Sequence, residues 1–129
     1  MRGAPRARGL LAVAACGLLG ACATDTLTTG EPRVGKAVPI APFEFHEECG
    51  TIGGGERVDF RFTTTRPVHF EIYYKEGITR IAPIVRENVT EGSGVFPPPV
   101  TRRYCLRWDA GREGALVDHR IRILPANPP

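Results

Sequence analysis

Four consecutive residues, His46-Glu47-Glu48-Cys49, carry side chains that can bind metal ions. A zinc or copper site needs three or four such ligands converging on one point, and cysteine serves only as a thiolate. With His69 as a further candidate ligand, this segment offers a metal-binding site. The simpler interpretation is a strand end followed by a polar turn. Under it we expect no stoichiometric metal ion and no cofactor.

Residues suited to nucleophilic or acid–base catalysis are few. Ser93 is the only serine of the chain, and it lies in a glycine-rich stretch without the Gly-x-Ser-x-Gly pattern of a nucleophile elbow. For the carboxylates of Asp59, Glu71 and Asp118, salt bridges to nearby arginines are the expected arrangement. His119 shares a face with core residues, where a hydrogen-bonded buried histidine is expected. The sequence therefore predicts that the protein is not an enzyme.

The amino terminus has the organisation of a secretory signal. Three arginines in the first eight residues precede an apolar stretch from Leu10 to Ala21, and small residues stand near its end. The stretch is about a dozen residues long, whereas a helix that crosses a bilayer needs ~20. We therefore expect export rather than a transmembrane anchor.

The residues Leu19-Gly20-Ala21-Cys22 that close this stretch resemble the lipobox of bacterial lipoproteins. The resemblance implies a signal peptide over residues 1–21, cleavage before Cys22, and a diacylglycerol on the thiol of that cysteine, with palmitate among its acyl chains. Because Ala23 rather than Asp follows the cysteine, the resemblance favours the outer membrane of the cell envelope, facing the periplasm.

Two alternatives to this processing stay open. A plain secretory signal could be cut after Ala21 or Ala23, because small-x-small sites are common. A second segment with the lipobox pattern ends at Cys16, but only residues 10–12 precede it as an apolar stretch, well below the ~7 that such a signal needs. Cys22 is therefore the expected lipid attachment site.

The charge balance excludes one class of partner. Three of the 17 basic residues lie in the presumed signal, which leaves 14 basic against 14 acidic residues and a formal charge of zero. No Lys/Arg cluster with interleaved aromatic residues indicates nucleic-acid binding. The partners we expect are a membrane, reached through the lipid, and another envelope protein or a small or glycan ligand.

Export also bears on Cys49 and Cys105, the two cysteines that follow Cys22. In an oxidising compartment such a pair most often forms a disulfide, and the Cys-x-x-Cys spacing of zinc and redox pairs is absent. Because Tyr104, Leu106 and Trp108 alternate toward one face, Cys105 is expected on the other. There the bond would lie on an outer face or near a sheet edge, partly open to reductant.

The central part of the chain predicts an all-β fold. Apolar and polar residues alternate with the period of half-buried strands, and glycine- or proline-rich stretches separate the segments. One-sided strands must pack on another sheet, so we expect a small single-domain β-sandwich of six to seven strands with one disulfide. The expected strands are residues 58–62, 68–74, 104–108 and 117–123, with shorter candidates at 43–46, 81–86 and 95–96.

The same patterns divide the chain into four parts. After the signal peptide, residues 22–42 are expected to be the lipidated cysteine and a flexible tether, because threonine, glycine and proline dominate there. The sandwich is expected over residues 43–124. A disordered tail over residues 125–129 completes the predicted organisation.

The layout of the central part is similar to that of GOLD (Golgi dynamics) domains. A first cysteine precedes a glycine-rich turn, and a strand pair, Phe96 and the segment Tyr104-Cys105-Leu106-Arg107-Trp108 follow. The similarity covers about residues 43–124. It implies a β-sandwich whose disulfide joins an early strand to a late one, and an interaction module rather than an enzyme. The family's trafficking role is not implied.

Taken together, the patterns predict a lipid-anchored envelope protein that acts as a non-catalytic binding module. One alternative function is a periplasmic metal-binding module that uses His46, Glu47, Glu48 and His69. Another alternative is an inhibitor of an external hydrolase.

Overall fold

The alternating segments form the strands of a curled antiparallel sheet. The computed structural model describes residues 25–127. Within them, no helix is long and apolar enough to cross a membrane. The strands are β1 (Arg33–Ile40), β2 (Phe45–Ile52), β3 (Arg57–Glu76), β4 (Thr79–Phe96), β5 (Arg102–Ala110) and β6 (Ala115–Leu124).

The long strand β3 belongs to both halves of the sheet. Its first part pairs with β6 and its later part with β5, while β4 follows its opposite edge. The edge strands β1 and β2 complete the order β1-β6-β3-β5-β2. Because β5 and β6 diverge from each other along β3, the two halves of the sheet face one another across one core.

Aromatic side chains join the two halves. Phe60 and Phe70 lie on the two parts of β3 with their ring centroids 5.2 Å apart, and Phe62 meets Trp108 edge to face at 5.8 Å. Trp108 is fully buried. The structure is therefore a small β-sandwich of six strands, which confirms the predicted fold class.

The predicted disulfide between Cys49 and Cys105 is present, and it lies on the outer face of its half-sheet. The two residues stand opposite each other in the register of β2 and β5. Our expectation that the bond is partly open to reductant is wrong, since Cys49 is 5% and Cys105 2% exposed. Tyr73 on β3 clusters with the two cysteines, and Ala82 on β4 packs against this cluster, so neighbouring strands help to cover the bond.

The expectation of a flexible tether over residues 22–42 is wrong for its described part. β1 pairs with β6, Leu27 is buried, and the backbone amides of Thr26 and Leu27 donate to the carbonyl of Cys49. An edge strand is held by backbone hydrogen bonds on one side, so β1 needs no alternating apolar pattern. The domain therefore begins well before residue 43. Residues 1–24, with the predicted signal peptide and Cys22, and residues 128–129 of the predicted tail lie outside the described residues.

Two predicted chain breaks instead lie within long strands. Pro67 interrupts the pairing of β3 with β4 without ending either strand. The glycine-rich stretch at residues 91–94 runs within β4 because the rings of Phe60 and Phe62 lie against it. A β-carbon at Gly92 would lie 2.6 Å from the Phe62 ring, so this glycine is required by close packing.

Candidate functional site

A buried carboxylate, Glu48, is the most unusual feature of the interior. Along β2 the even-numbered residues His46 and Glu48 point inward, whereas Glu47 and Cys49 point to the outer face, in register with Arg107 and Cys105 of β5. An ionised carboxylate inside a protein is stable only when it is paired and hydrogen-bonded. The contacts of Glu48 meet that condition.

Three strands supply the groups around this carboxylate. Arg33 of β1 donates from Nε to Oε1 over 2.8 Å. His46 of β2 hydrogen-bonds Oε2 through Nε2 at 2.6 Å. His119 of β6 points Nε2 at the same Oε2 from 3.6 Å, beyond ordinary hydrogen-bond distance. We call Glu48, His46 and His119 the His–Glu–His cluster.

Rings of the core hold the two histidines in place. Trp108 stacks on His119 with centroids 5.1 Å apart and planes 16° apart, and His46 stacks against both rings. On the other side, Gly35 of β1 lies so close that a β-carbon there would collide with Nε2 of His119. The cluster is therefore held between the core and an edge strand.

The edge strand is irregular where it passes the cluster. The pairing of β1 with β6 shifts between Gly35 and Val38, and Ala37 takes a left-handed φ of 49°. Its amide donates to Oδ1 of Asp118 over 2.6 Å, which fixes this bulge. An open cavity of about 310 Å³ lies beside it, with Gly35 and His119 among its lining residues. The bulge thus gives the cluster a route toward solvent.

Three buried polar atoms of this region lack a hydrogen-bond partner among the described residues. They are Nδ1 and Nε2 of His119 and Nε1 of Trp108. A buried donor or acceptor left unsatisfied costs about 1–3 kcal/mol. The region therefore has unused capacity to bind a further polar group or ion.

The environment of Glu48 favours its ionised form. Burial opposes ionisation, but the polar and charged side chains of His119, His46, Thr26 and Arg33 around the carboxylate outweigh burial and hold the pKa of Glu48 well below its usual range. A lowered pKa means that the ionised carboxylate stabilises the folded state at every pH above the usual glutamate value of about 4.3. This stabilisation is lost as the pH falls below that value.

Replacing Glu48 with Gln is expected to lower the melting temperature at pH 6 and to flatten its decline between pH 6 and pH 3. Each unit of pKa difference between the folded and unfolded states is worth about 1.4 kcal/mol. Thermal unfolding of both proteins across this pH range measures the effect. The matched control is Glu113→Gln, because Glu113 pairs with Arg66 on the exposed surface. Parallel melting curves for wild type and Glu48→Gln would contradict the assignment.

The predicted metal ligands are divided between the two faces of the sheet. On the outer face, Glu47 accepts a hydrogen bond from the hydroxyl of Tyr73 at 2.6 Å. Burial and this bond raise the pKa of Tyr73 to about 12. His69 also lies on the outer face, 3.3 Å from Glu71. Glu47, Cys49 and His69 therefore do not join His46 and Glu48.

The expectation of a strand end with a polar turn at residues 46–49 is wrong, because these residues lie within β2. His119 faces the core as predicted, although neither ring nitrogen has a hydrogen-bond partner among the described residues. What sequence reasoning missed is the convergence of His119 with His46 and Glu48. In a strand every second side chain points to the same face, so an inward Ile52 also predicts inward side chains at residues 46 and 48. This alternation could have identified His46 and Glu48 as interior residues.

The predicted salt bridge is present for Glu71 but, among the described residues, not for Asp59 or Asp118. Glu71 pairs with Arg80 through Oε1 at 2.9 Å. Asp118 instead accepts the backbone amide of Ala37. These contacts give Glu71 and Asp118 structural roles in the fold.

Comparison with known proteins finds no matching family model and no curated protein of significant sequence similarity. The resemblances to bacterial lipoproteins and to GOLD domains therefore stay predictions.

Proposed function

We propose that this protein is a lipid-anchored module of the bacterial cell envelope that binds another envelope protein without catalysing a reaction. The lipid would be attached at Cys22 and would hold the domain on the outer membrane, facing the periplasm. The surface of the domain at the end away from this attachment would bind the partner.

The ordered start of the domain supports a close attachment to the membrane. Asp25 accepts a hydrogen bond from Nε of Arg103 at 2.9 Å, and Thr26 is bonded to Cys49. Only Ala23 and Thr24 separate Cys22 from Asp25, and the three residue-to-residue steps between these positions reach at most about 10 Å. In this proposal the end of the domain that carries Arg103 lies at the lipid headgroups.

The same end carries a fully exposed apolar side chain. Ile78 lies in the two-residue turn between β3 and β4, where Glu76 pairs with Thr79. Glu76 is bonded to Arg102, the neighbour of Arg103, which places the turn near the start of the described chain. An exposed isoleucine beside the attachment point is compatible with contact with the membrane surface.

The single observation that carries the binding role is Phe43, at the opposite end of the domain. It stands just before β2, whose eight residues span roughly 25 Å, and its side chain is 79% exposed. Its backbone has a left-handed φ of 61°, held by a hydrogen bond from its amide to the carbonyl of Gly111. Such a conformation is uncommon for a bulky residue and costs about 1–3 kcal/mol.

A second exposed aromatic residue follows Phe43 two positions later, at the start of β2. Phe45 is half exposed, and the guanidinium of Arg107 lies 3.7 Å from the centre of its ring. Aromatic and arginine side chains are the residue types that most often dominate the energy of protein interfaces. A strained, exposed aromatic residue facing away from the membrane is therefore the best candidate for a contact with a partner protein.

A photo-crosslinking amino acid tests this assignment in intact cells. Placed at position 43, it is expected to give a discrete protein adduct larger than the chain itself. The matched control is position 78, which is fully exposed at the opposite end and is expected to lack that adduct. Absence of an adduct at position 43, or the same adduct from both positions, would contradict a binding surface at the end that bears Phe43.

A further inference from the structure

We propose that the His–Glu–His cluster binds a divalent transition-metal ion, with zinc as the best match. This site is independent of the lipid anchor and of the surface around Phe43. The set differs from the metal-binding module considered from the sequence, since His119 takes part and Glu47 and His69 do not.

The positions of the ligand atoms suit one small ion. The two imidazole nitrogens and the carboxylate oxygen lie within 4.8 Å of one another. Zinc binds such atoms at 2.0–2.2 Å, so two ligands of a tetrahedral ion are roughly 3.3–3.6 Å apart. The 3.6 Å between His119 Nε2 and Glu48 Oε2 agrees with this separation.

The third ligand requires a small movement. His46 Nε2 lies 2.6 Å from Glu48 Oε2, which is a hydrogen-bond distance, so the two atoms must separate by roughly 0.7 Å to admit zinc. The His46 side chain is 25% exposed and lies near the start of β2. It therefore has room to move toward solvent, unlike the enclosed His119.

The donor set selects the class of ion. Two imidazoles and one carboxylate suit zinc and neighbouring transition metals, whereas magnesium and calcium prefer oxygen ligands alone. No thiolate contributes, because Cys49 is held in the disulfide. Three protein ligands leave a fourth position for water or for another ligand, which the cavity beside Gly35 can admit.

A second observation points to the same site. The side chain of His119 is 1% exposed, and neither of its ring nitrogens has a hydrogen-bond partner among the described residues. An ion shared between Nε2 of His119 and the carboxylate of Glu48 would give this nitrogen a partner. Metal binding would thus remove a cost that the metal-free cluster carries.

Arg33 is the competitor of this ion. Its guanidinium neutralises Glu48 from the Oε1 side, and a positive charge there opposes the approach of a second cation. Because the Arg33 side chain is 47% exposed, it can withdraw into solvent when an ion binds. Removal of this positive charge should therefore strengthen metal binding. If the cluster only stabilised the fold, no such gain would be expected.

Calorimetric titration of the full-length protein in detergent with zinc chloride at pH 7.5 tests the proposal. One zinc ion per chain is expected, with magnesium chloride giving no binding under the same conditions. His46→Gln, at a partly exposed position, is expected to weaken zinc binding at least tenfold, and His119→Gln likewise. Arg33→Gln is expected to tighten it several-fold.

The matched control is Glu47→Gln, because Glu47 is adjacent in sequence but lies on the outer face. Its zinc affinity should equal that of the wild type, and circular dichroism should show that each variant keeps its strand content. Absence of saturable zinc binding would overturn the proposal. So would binding that survives both histidine substitutions, or an Arg33→Gln variant that binds zinc no more tightly than the wild type.

Discussion

Replacing both Cys49 and Cys105 with Ala is expected to lower the melting temperature of the protein by well over 10 °C. The bond closes a ring between residues 56 positions apart, and the loss of unfolded-state freedom in a ring of this length is worth about 4 kcal/mol. In a domain of about a hundred residues, ~1 kcal/mol shifts the midpoint by roughly 4–8 °C. Differential scanning calorimetry of the two proteins measures the shift.

The burial of the bond adds an expectation that the sequence did not provide. Because both cysteines are buried and cluster with Tyr73, the folded protein should resist reductant until it unfolds. A non-reducing peptide map of protein isolated from cells without reductant should show the Cys49–Cys105 link. Free thiols in that protein, or an unchanged melting point in the double variant, would contradict a stabilising disulfide.

Replacing Cys22 with Ser is expected to release the protein from membranes or to leave it as an uncleaved precursor. In the proposed anchor the acyl chains are attached through the thiol, and a hydroxyl cannot replace it in that linkage. Two acyl chains give stable anchoring, whereas the domain alone would bind at most weakly. Fractionation of cells into soluble and membrane parts, followed by detection of the protein, measures the change.

The matched control for this substitution is Cys16→Ser. Cys16 ends the other lipobox-like segment, so its loss should leave the membrane fraction unchanged if Cys22 is the attachment site. An unaltered membrane fraction in Cys22→Ser, or release in Cys16→Ser instead, would contradict lipidation at Cys22.

The sequence predicted the strands that have one buried and one exposed face, such as β6. It missed β1, whose two faces are both largely exposed. In β6 each buried residue alternates with an exposed one, and this pattern alone placed Val117, Ile121 and Ile123 inside. In β1 only Ile40 is fully buried, and the strand is held by backbone pairing with β6. Backbone hydrogen bonds leave no trace in side-chain hydropathy, so residues 33–40 were expected to be a tether.

The candidate site was half visible in the sequence. From the sequence, His46 and Glu48 were identified as possible metal ligands, and His119 as a histidine that faces the core. The proximity of these three residues depends on strand pairing far along the chain. The first part of β3 pairs with β6 and its later part with β5, and this arrangement brings Trp108 and His119 together. Alternation within one strand cannot specify such a long-range arrangement, so the sequence assigned Glu47 and His69 to the same group.

The most direct test of the proposed anchored module is the mass of its amino-terminal peptide, measured on protein purified from membranes with detergent. We expect a peptide that begins at Cys22 and carries the added mass of a diacylglycerol, together with its further acyl chain where one is attached. A peptide that begins at Thr24 without lipid, or an intact amino terminus with unmodified Cys22, would contradict the account.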